Sequence, residues 1–225
     1  MKILIIGFHR SGTTLLRRIF QVHPQIRKIL HESFLLFGCS TKKQVINYIE
    51  NKNINAEKEN WGEKIPYSSV SRKGISAVEY CRKWNEYFGD DSRIIHIIRH
   101  PYDVSFSVIK KEKNINEFNN PLAKYVNYMR KSVLQITAIP NTFTVKYEKM
   151  LLNPDITIPA LYGFCGLDPS IDFNKYLSKL KNRRYQKINS SRAFAYKDKE
   201  IKSKIDCTNT FKLLNQIDGP KYEEV

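Results

Sequence analysis

The strongest constraint on the fold lies at the start of the chain, where an apolar run breaks at one glycine and a helical pattern begins just beyond a second. Lys2 to Ile6 is rich in β-branched side chains, Gly7 opens a turn, and Thr14-Leu15-Leu16 begins an apolar spacing of helical period. Strand, tight loop and helix are thus packed into sixteen residues. The loop reads Gly7-Phe8-His9-Arg10-Ser11-Gly12-Thr13-Thr14. Glycines at this spacing, with two hydroxyls after the second, let backbone N–H groups wrap an anion at a helix N-terminus, where the helix dipole also favours negative charge. An oxyanion site is the physical expectation. A nucleotide-hydrolysing P-loop carries Lys directly after its second glycine to reach the outer phosphates. Here Thr13 stands in that position, and the cation is Arg10, inside the loop.

Further along, strand-like and helix-like stretches alternate. Leu15, Leu16, Ile19 and Phe20 share one face of a helix that Pro24 stops. Ile26 to Leu30 reads as a short strand that delivers His31 and Glu32 at its end. Thr41-Lys42-Lys43-Gln44 has the form of a capping box opening a helix to about Asn51. Trp61 to Pro66 is expected to be extended, because the residue before proline avoids the α region. Ile75, Val78, Cys81 and Phe88 imply a helix ending near Gly89. Arg93 to Ile98 is apolar enough to lie inside a parallel sheet, Arg99-His100 ends it, and Pro101 starts a helix. A helix from Asn120-Pro121 to about Ile139, a strand over Thr142 to Lys146, and helices at Tyr147–Leu152, Pro159–Cys165 and Phe173–Leu180 follow. The pattern predicts a single α/β domain over residues 1–225, P-loop-like, with three α/β/α layers around a mostly parallel sheet. Trp61 and Trp84 read as core.

Ligands bind at strand ends in such a sheet, and two more stretches fall there. Arg99 ends one strand, and Ser107 follows about two helical turns later, so guanidinium and hydroxyl can converge on one phosphate. Ser105 lies two residues nearer, and spacing alone does not choose between the serines. Val145-Lys146-Tyr147-Glu148-Lys149-Met150-Leu151 ends another strand on an aromatic residue.

With Arg10-Ser11-Gly12-Thr13-Thr14 after the first strand, the chain resembles the sulfotransferases that use 3′-phosphoadenosine 5′-phosphosulfate. The tyrosylprotein and heparan-type branches carry the same Arg-Ser-Gly-Thr-Thr, and bacterial sulfotransferases are similar. The resemblance implies that Arg10, Ser11, Gly12, Thr13 and Thr14 hold the 5′-phosphosulfate, with Arg10 assisting the leaving phosphate. It implies that Arg99 and Ser107, rather than Ser105, bind the 3′-phosphate, and that Tyr147 lies against the adenine. The same branches place a catalytic Glu after the second strand, which makes Glu32 the candidate base, although other branches use a His and His31 stands beside it. Lys64 in Gly-Glu-Lys-Ile-Pro resembles a Gly-Asp-Lys-Thr-Pro-like segment whose Lys helps hold the sulfuryl group; Ile65 replaces the usual hydroxyl here. The implied reaction moves a sulfuryl group to a hydroxyl or amine and releases adenosine 3′,5′-bisphosphate. Tyr185 to Lys204, with Ser190, Ser191, Arg192 and Lys197, reads as a basic lid over the 3′-phosphate or simply as a basic tail, within residues 182–225.

Composition bounds the partners. Lys plus Arg total 38 against 22 Asp plus Glu, a formal charge of +16, which leans towards an acidic acceptor: a glycan, a protein tyrosine or a small metabolite. No nucleic-acid motif accompanies the charge. The five histidines lack ligand spacing, and no bound metal is expected. Cys39, Cys81, Cys165 and Cys207 form no CxxC pair and fit reduced thiols. The opening KILIIGF is too short for a signal peptide core, and no run reaches the ~20 apolar residues of a membrane span, so a cytoplasmic enzyme or catalytic domain is expected. Two competing readings are a P-loop kinase or NTPase, which calls for Lys at position 13 and an Asp at a strand end, and a non-catalytic basic module, which leaves the glycine loop idle.

Overall fold

In a computed structural model, five strands, β1 (Lys2–Gly7), β2 (Ile26–His31), β3 (Asn60–Pro66), β4 (Ser92–Ile98) and β5 (Thr142–Lys146), form a sheet in the order β2-β3-β1-β4-β5. Residues 1–71, 73–112, 119–180, 187–194 and 208–217 are described. Every strand pairing is parallel, as continuous apolar runs separated by helices require. β1 is central, with all six of its residues buried, so the glycine loop leaves from the middle of the C-terminal edge.

Alternation along the strands sends successive side chains to two separate cores. Ile3 and Ile5 face α1 (Thr13–Gln21), α8 (Tyr147–Leu152), α9 (Pro154–Phe164) and α10 (Phe173–Leu177). Leu4 and Ile6 face α2 (Leu35–Gly38), α3 (Lys42–Glu50), α4 (Tyr67–Ser71), α5 (Ala77–Phe88), α6 (Pro101–Glu112), α7 (Asn119–Thr137) and α11 (Thr208–Leu214). On this second side Trp61, Trp84 and Phe88 pack edge to face with ring centroids 4.8 to 5.8 Å apart, and both tryptophans are fully buried.

Local chemistry accounts for most boundaries. Thr41 and Gln44 close the expected capping box on α3, and Ser76 and Glu79 close a second one on α5 that the apolar spacing did not reveal. α9 begins at Pro154, not at Pro159: Pro154 takes the first turn, and Pro159 is tolerated inside because the carbonyl it deprives belongs to exposed Asp155. α2 and α4 are too short to leave a periodic signal. β2 is an edge strand with an irregularity between Ile26 and Lys28, and Arg27 and Lys28 are exposed. Cys39, Cys81 and Cys165 are buried free thiols; Cys207 lies outside the described residues.

His96 sits in the middle of β4, fully buried, with Nε2 2.9 Å from Tyr128 Oη and Nδ1 3.4 Å from Thr144 Oγ1. Burial pushes its pKa down to about 3, so the folded protein holds it neutral while the unfolded chain protonates near 6.5. The unfolded state therefore binds more protons between those values, and stability falls as pH drops through that window. Urea denaturation from pH 6.5 to 4.5 should show wild type losing on the order of 1 kcal/mol per pH unit more than His96→Gln. Parallel pH dependences in the two proteins would contradict this assignment.

Candidate active site

The glycine loop owes its shape to three residues. Arg10 has φ 69° and Gly12 has φ 104°, both left-handed, and between them Ser11 directs its N–H and its hydroxyl to Phe8 O at 3.1 and 2.5 Å. Gly12 is the N-cap of α1, and no side chain caps that helix. The N–H groups of its first turn are thus left for whatever occupies the space in front of them. A β-carbon on Gly12 would collide with the Tyr147 ring, so glycine answers two demands at once, the positive φ and the close approach.

Arg10, Gly12, Thr13, Thr14, Leu15, Arg99, Ser107, Tyr147 and Arg192 line one cleft of about 110 Å³. Arg10 Nε donates to Ser107 Oγ at 2.9 Å, joining the loop to α6. Ser105 turns the other way: it is fully buried and its hydroxyl donates to Pro101 O at 3.1 Å, inside the helix. Arg99 donates from Nη1 to Arg10 O (3.2 Å) and from Nη2 to Arg192 O (3.1 Å), with Asp103 Oδ2 at 3.5 Å. Its Nε is buried and makes no hydrogen bond to a described residue. The guanidinium lies 4.4 Å from the Tyr147 ring centroid, and burial raises the Tyr147 pKa against the opposing charge of Arg99. Tyr147 therefore forms the floor beneath Gly12 and Arg99 while still lining the cleft. Ser11 is the loop candidate whose side chain points away from the cleft, into the loop itself. The backbone of Arg99 is bracketed by Tyr125, whose hydroxyl accepts from Arg99 N at 2.9 Å and donates to Arg99 O at 2.6 Å.

A second cluster forms where β2 and β3 end, on the other side of β1. Lys64 Nζ donates to Glu32 Oε1 at 2.8 Å, and His31 Nε2 stands 3.8 Å from the same oxygen. Lys64 is buried, whereas half of the His31 side chain is exposed. Desolvation, with Lys64 and Arg17 nearby, lowers the His31 pKa, while Glu32 opposes the shift. Thirty-two residues separate Glu32 from Lys64, yet the register that sets His31 opposite Lys64 makes their meeting a direct result of strand pairing. The spacing gave no hint of Glu63, Tyr80, Tyr125 or Arg17 in these surroundings. Of the late basic segment, 187–194 is described and brings Arg192 to the cleft; Tyr185, Lys197 and the rest up to Lys204 lie outside the described residues.

The model of the sulfotransferase domain matches residues 1–212. The chain belongs to the sulfotransferase family. Solved sulfotransferase structures share its fold at low identity. The sulfotransferase domain of the Synechococcus PCC 7002 olefin synthase superposes with a TM-score of 0.68 at 18% identity, over 98% of this chain and 96% of that one. A sulfotransferase domain from the curacin biosynthetic pathway gives 0.63 at 16% identity, over 97% and 98%. The sulfotransferase of Alicyclobacillus acidocaldarius gives 0.53 at 12%, over 88% and 96%. No curated protein sequence matches this sulfotransferase. Among the described residues no helix is long and apolar enough to cross a membrane, and no group of three His, Cys, Asp or Glu could hold a metal ion.

The double constraint on Gly12 is testable on the fold alone. Gly12→Ala should lower the unfolding free energy by about 1–3 kcal/mol in urea titrations, and the same substitution should cost less in a Tyr147→Ala background, where the collision is gone and only the strain in φ remains. Strictly additive losses would mean that the ring does not press on the loop.

Proposed function

We propose that this sulfotransferase takes 3′-phosphoadenosine 5′-phosphosulfate as donor and transfers its sulfuryl group to a hydroxyl or amine, with the whole chain acting as one catalytic unit. The observation that carries the reading is the cleft with three arginines at the uncapped N-terminus of α1. Its chemistry suits anionic groups: guanidinium forks, two hydroxyl-bearing residues in the first helical turn, and a buried Arg99 Nε with no partner among the described residues. Arg10, Gly12, Thr13 and Thr14 would hold the 5′-phosphosulfate end, and Arg99, Ser107 and Arg192 the 3′-phosphate. Ser11 would act by shaping the loop, and Tyr147 by supporting Gly12 and Arg99 from below.

In this reading Glu32 takes the proton of the acceptor as the acceptor atom bonds to sulfur. The sulfur–oxygen bond to the bridging atom breaks, and that oxygen departs with the bisphosphate. Lys64 and Arg10 supply positive charge where it accumulates, which is worth most in a site shielded from water. Glu32 is favoured over His31 because Lys64 orients its Oε1, whereas the His31 ring is half exposed. A kinase reading finds Thr13 where it needs Lys, and Arg99 at a strand end where it needs a magnesium-binding Asp. The charge of +16 favours an acidic acceptor, whose KM should rise with salt.

Titration calorimetry tests the donor: adenosine 3′,5′-bisphosphate should bind, and ATP with magnesium should not. Arg99→Ala should weaken that binding by about ten- to a hundredfold. Selective binding of ATP would overturn the reading. Glu32→Gln should abolish transfer of labelled sulfate while leaving bisphosphate binding intact, and Lys64→Ala should lower kcat far more than it weakens binding. Undiminished turnover in Glu32→Gln would remove that residue from the role of base.

A further inference from the structure

The turn that leaves β2 is gripped from both faces of the sheet. On the α1 face, Lys64 holds Glu32 Oε1 at 2.8 Å. On the opposite face the preceding residue of β3, Glu63, is fully buried. Its Oε1 accepts from Ser33 Oγ at 2.8 Å and from Phe34 N at 2.7 Å, and its Oε2 accepts from Tyr80 Oη on α5 at 2.6 Å. Among the described residues no Lys, Arg or His forms an ion pair with it. Ser33, Phe34 and Tyr80 are all neutral donors, and the first two lie in the turn.

That turn needs holding. Glu32 has φ 51° and Phe34 has φ 56°, left-handed values that residues with a β-carbon keep only when the surroundings over-determine them. The backbone bond from Glu32 N to Lys64 O, 2.9 Å, fixes the strand end, and Phe34 O accepts from Phe37 N and Gly38 N at 3.0 and 3.3 Å, while Ser33 Oγ and Phe34 N are held by the Glu63 side chain. Burial raises the Glu63 pKa, and its donors work against that shift, which is the expected cost of placing a carboxylate here without a cation. A carboxylate kept at such a place, bonded to the very residues that follow Glu32, indicates that the conformation of the turn is what it secures.

The geometry points to Glu63 as a positioning residue: tied to α5 through Tyr80, it fixes the left-handed turn so that the Glu32 carboxylate meets Lys64 at the sheet edge. The inference rests on the proposed role of Glu32 as base, since that role is what makes its position matter. Because β3 alternates, Glu63 and Lys64 act on the same turn from opposite sides, so loss of either should release Glu32.

Glu63→Gln and Tyr80→Phe test this, neither residue lining the donor cleft. Each should lower kcat at least about tenfold, the scale expected when a reacting group shifts by a fraction of an ångström to an ångström, with the Kd for adenosine 3′,5′-bisphosphate within about twofold of wild type. A second readout needs no activity: acetylation of Lys64 by limiting acetic anhydride, followed by peptide mass spectrometry. Lys64 should react severalfold faster in both folded variants, approaching its rate in Glu32→Gln, where the ion pair is gone. If wild type transfers no sulfate, the role of Glu32 as base falls, while the labelling rates still decide whether Glu63 fixes the turn. Should Glu63→Gln fail to fold, Tyr80→Phe keeps the carboxylate, removing only the bond to Glu63 and a long one of 3.5 Å from Leu36 N, and gives the same readouts. Wild-type kcat and wild-type Lys64 labelling in a folded variant would overturn the proposal.

Discussion

The guanidinium of Arg99 is the interaction on which the architecture of the cleft depends. Its two terminal nitrogens reach the carbonyl of Arg10 in the glycine loop and the carbonyl of Arg192 in the late segment, and its plane rests over Tyr147. One side chain thus connects three parts of the chain that are distant in sequence. A lysine could not do the same, because a point charge offers neither the planar fork nor the flat face for stacking. Tyr125, bonding both backbone groups of Arg99, gives that side chain a fixed origin. The result is a cation held rigidly before any ligand arrives, which keeps the cost of ordering it out of the binding step.

The parallel sheet distributes labour along its C-terminal edge. β1 and β4 end at the arginine cleft, and β2 and β3 end at the Glu32–Lys64 pair. Two charged centres of different composition therefore stand on either side of one central strand, the first lined by three arginines with Asp103 behind Arg99 and the second an acid held by a base. Such a division suits a reaction in which the donor is anionic and the acceptor must lose a proton.

Much of this was legible in the sequence, for physical reasons that can be stated. β1 and β4 announce themselves because buried parallel strands must be apolar on both faces, β5 by its β-branched and aromatic residues, and the loop because few residues other than glycine tolerate its geometry. The preference for Ser107 came through resemblance; the structure adds a reason, since Ser105 spends its hydroxyl on the carbonyl one turn back. Glu63 was illegible. A Glu beside a Lys in a short strand reads as an exposed alternation, and nothing local says that β3 is flanked on both sides or that Tyr80 waits on α5. The packing role of Tyr147 was not legible for the same reason: an aromatic residue after a strand can serve as an open surface or as a foundation, and nothing local tells that it lies under Gly12 and Arg99.

The irregular β2 edge, with Arg27 and Lys28 facing solvent, bears on how copies of this molecule meet. An unpaired strand margin is an invitation to extend the sheet from one molecule into the next. Here the margin is irregular and carries Lys28 beside an Arg27 that is paired with Glu59 at 3.5 Å, so a second copy approaching edge-on finds mismatched hydrogen-bonding positions and charge. The same charge that would draw an anion towards the neighbouring His31 end of the strand thus also discourages runaway self-association.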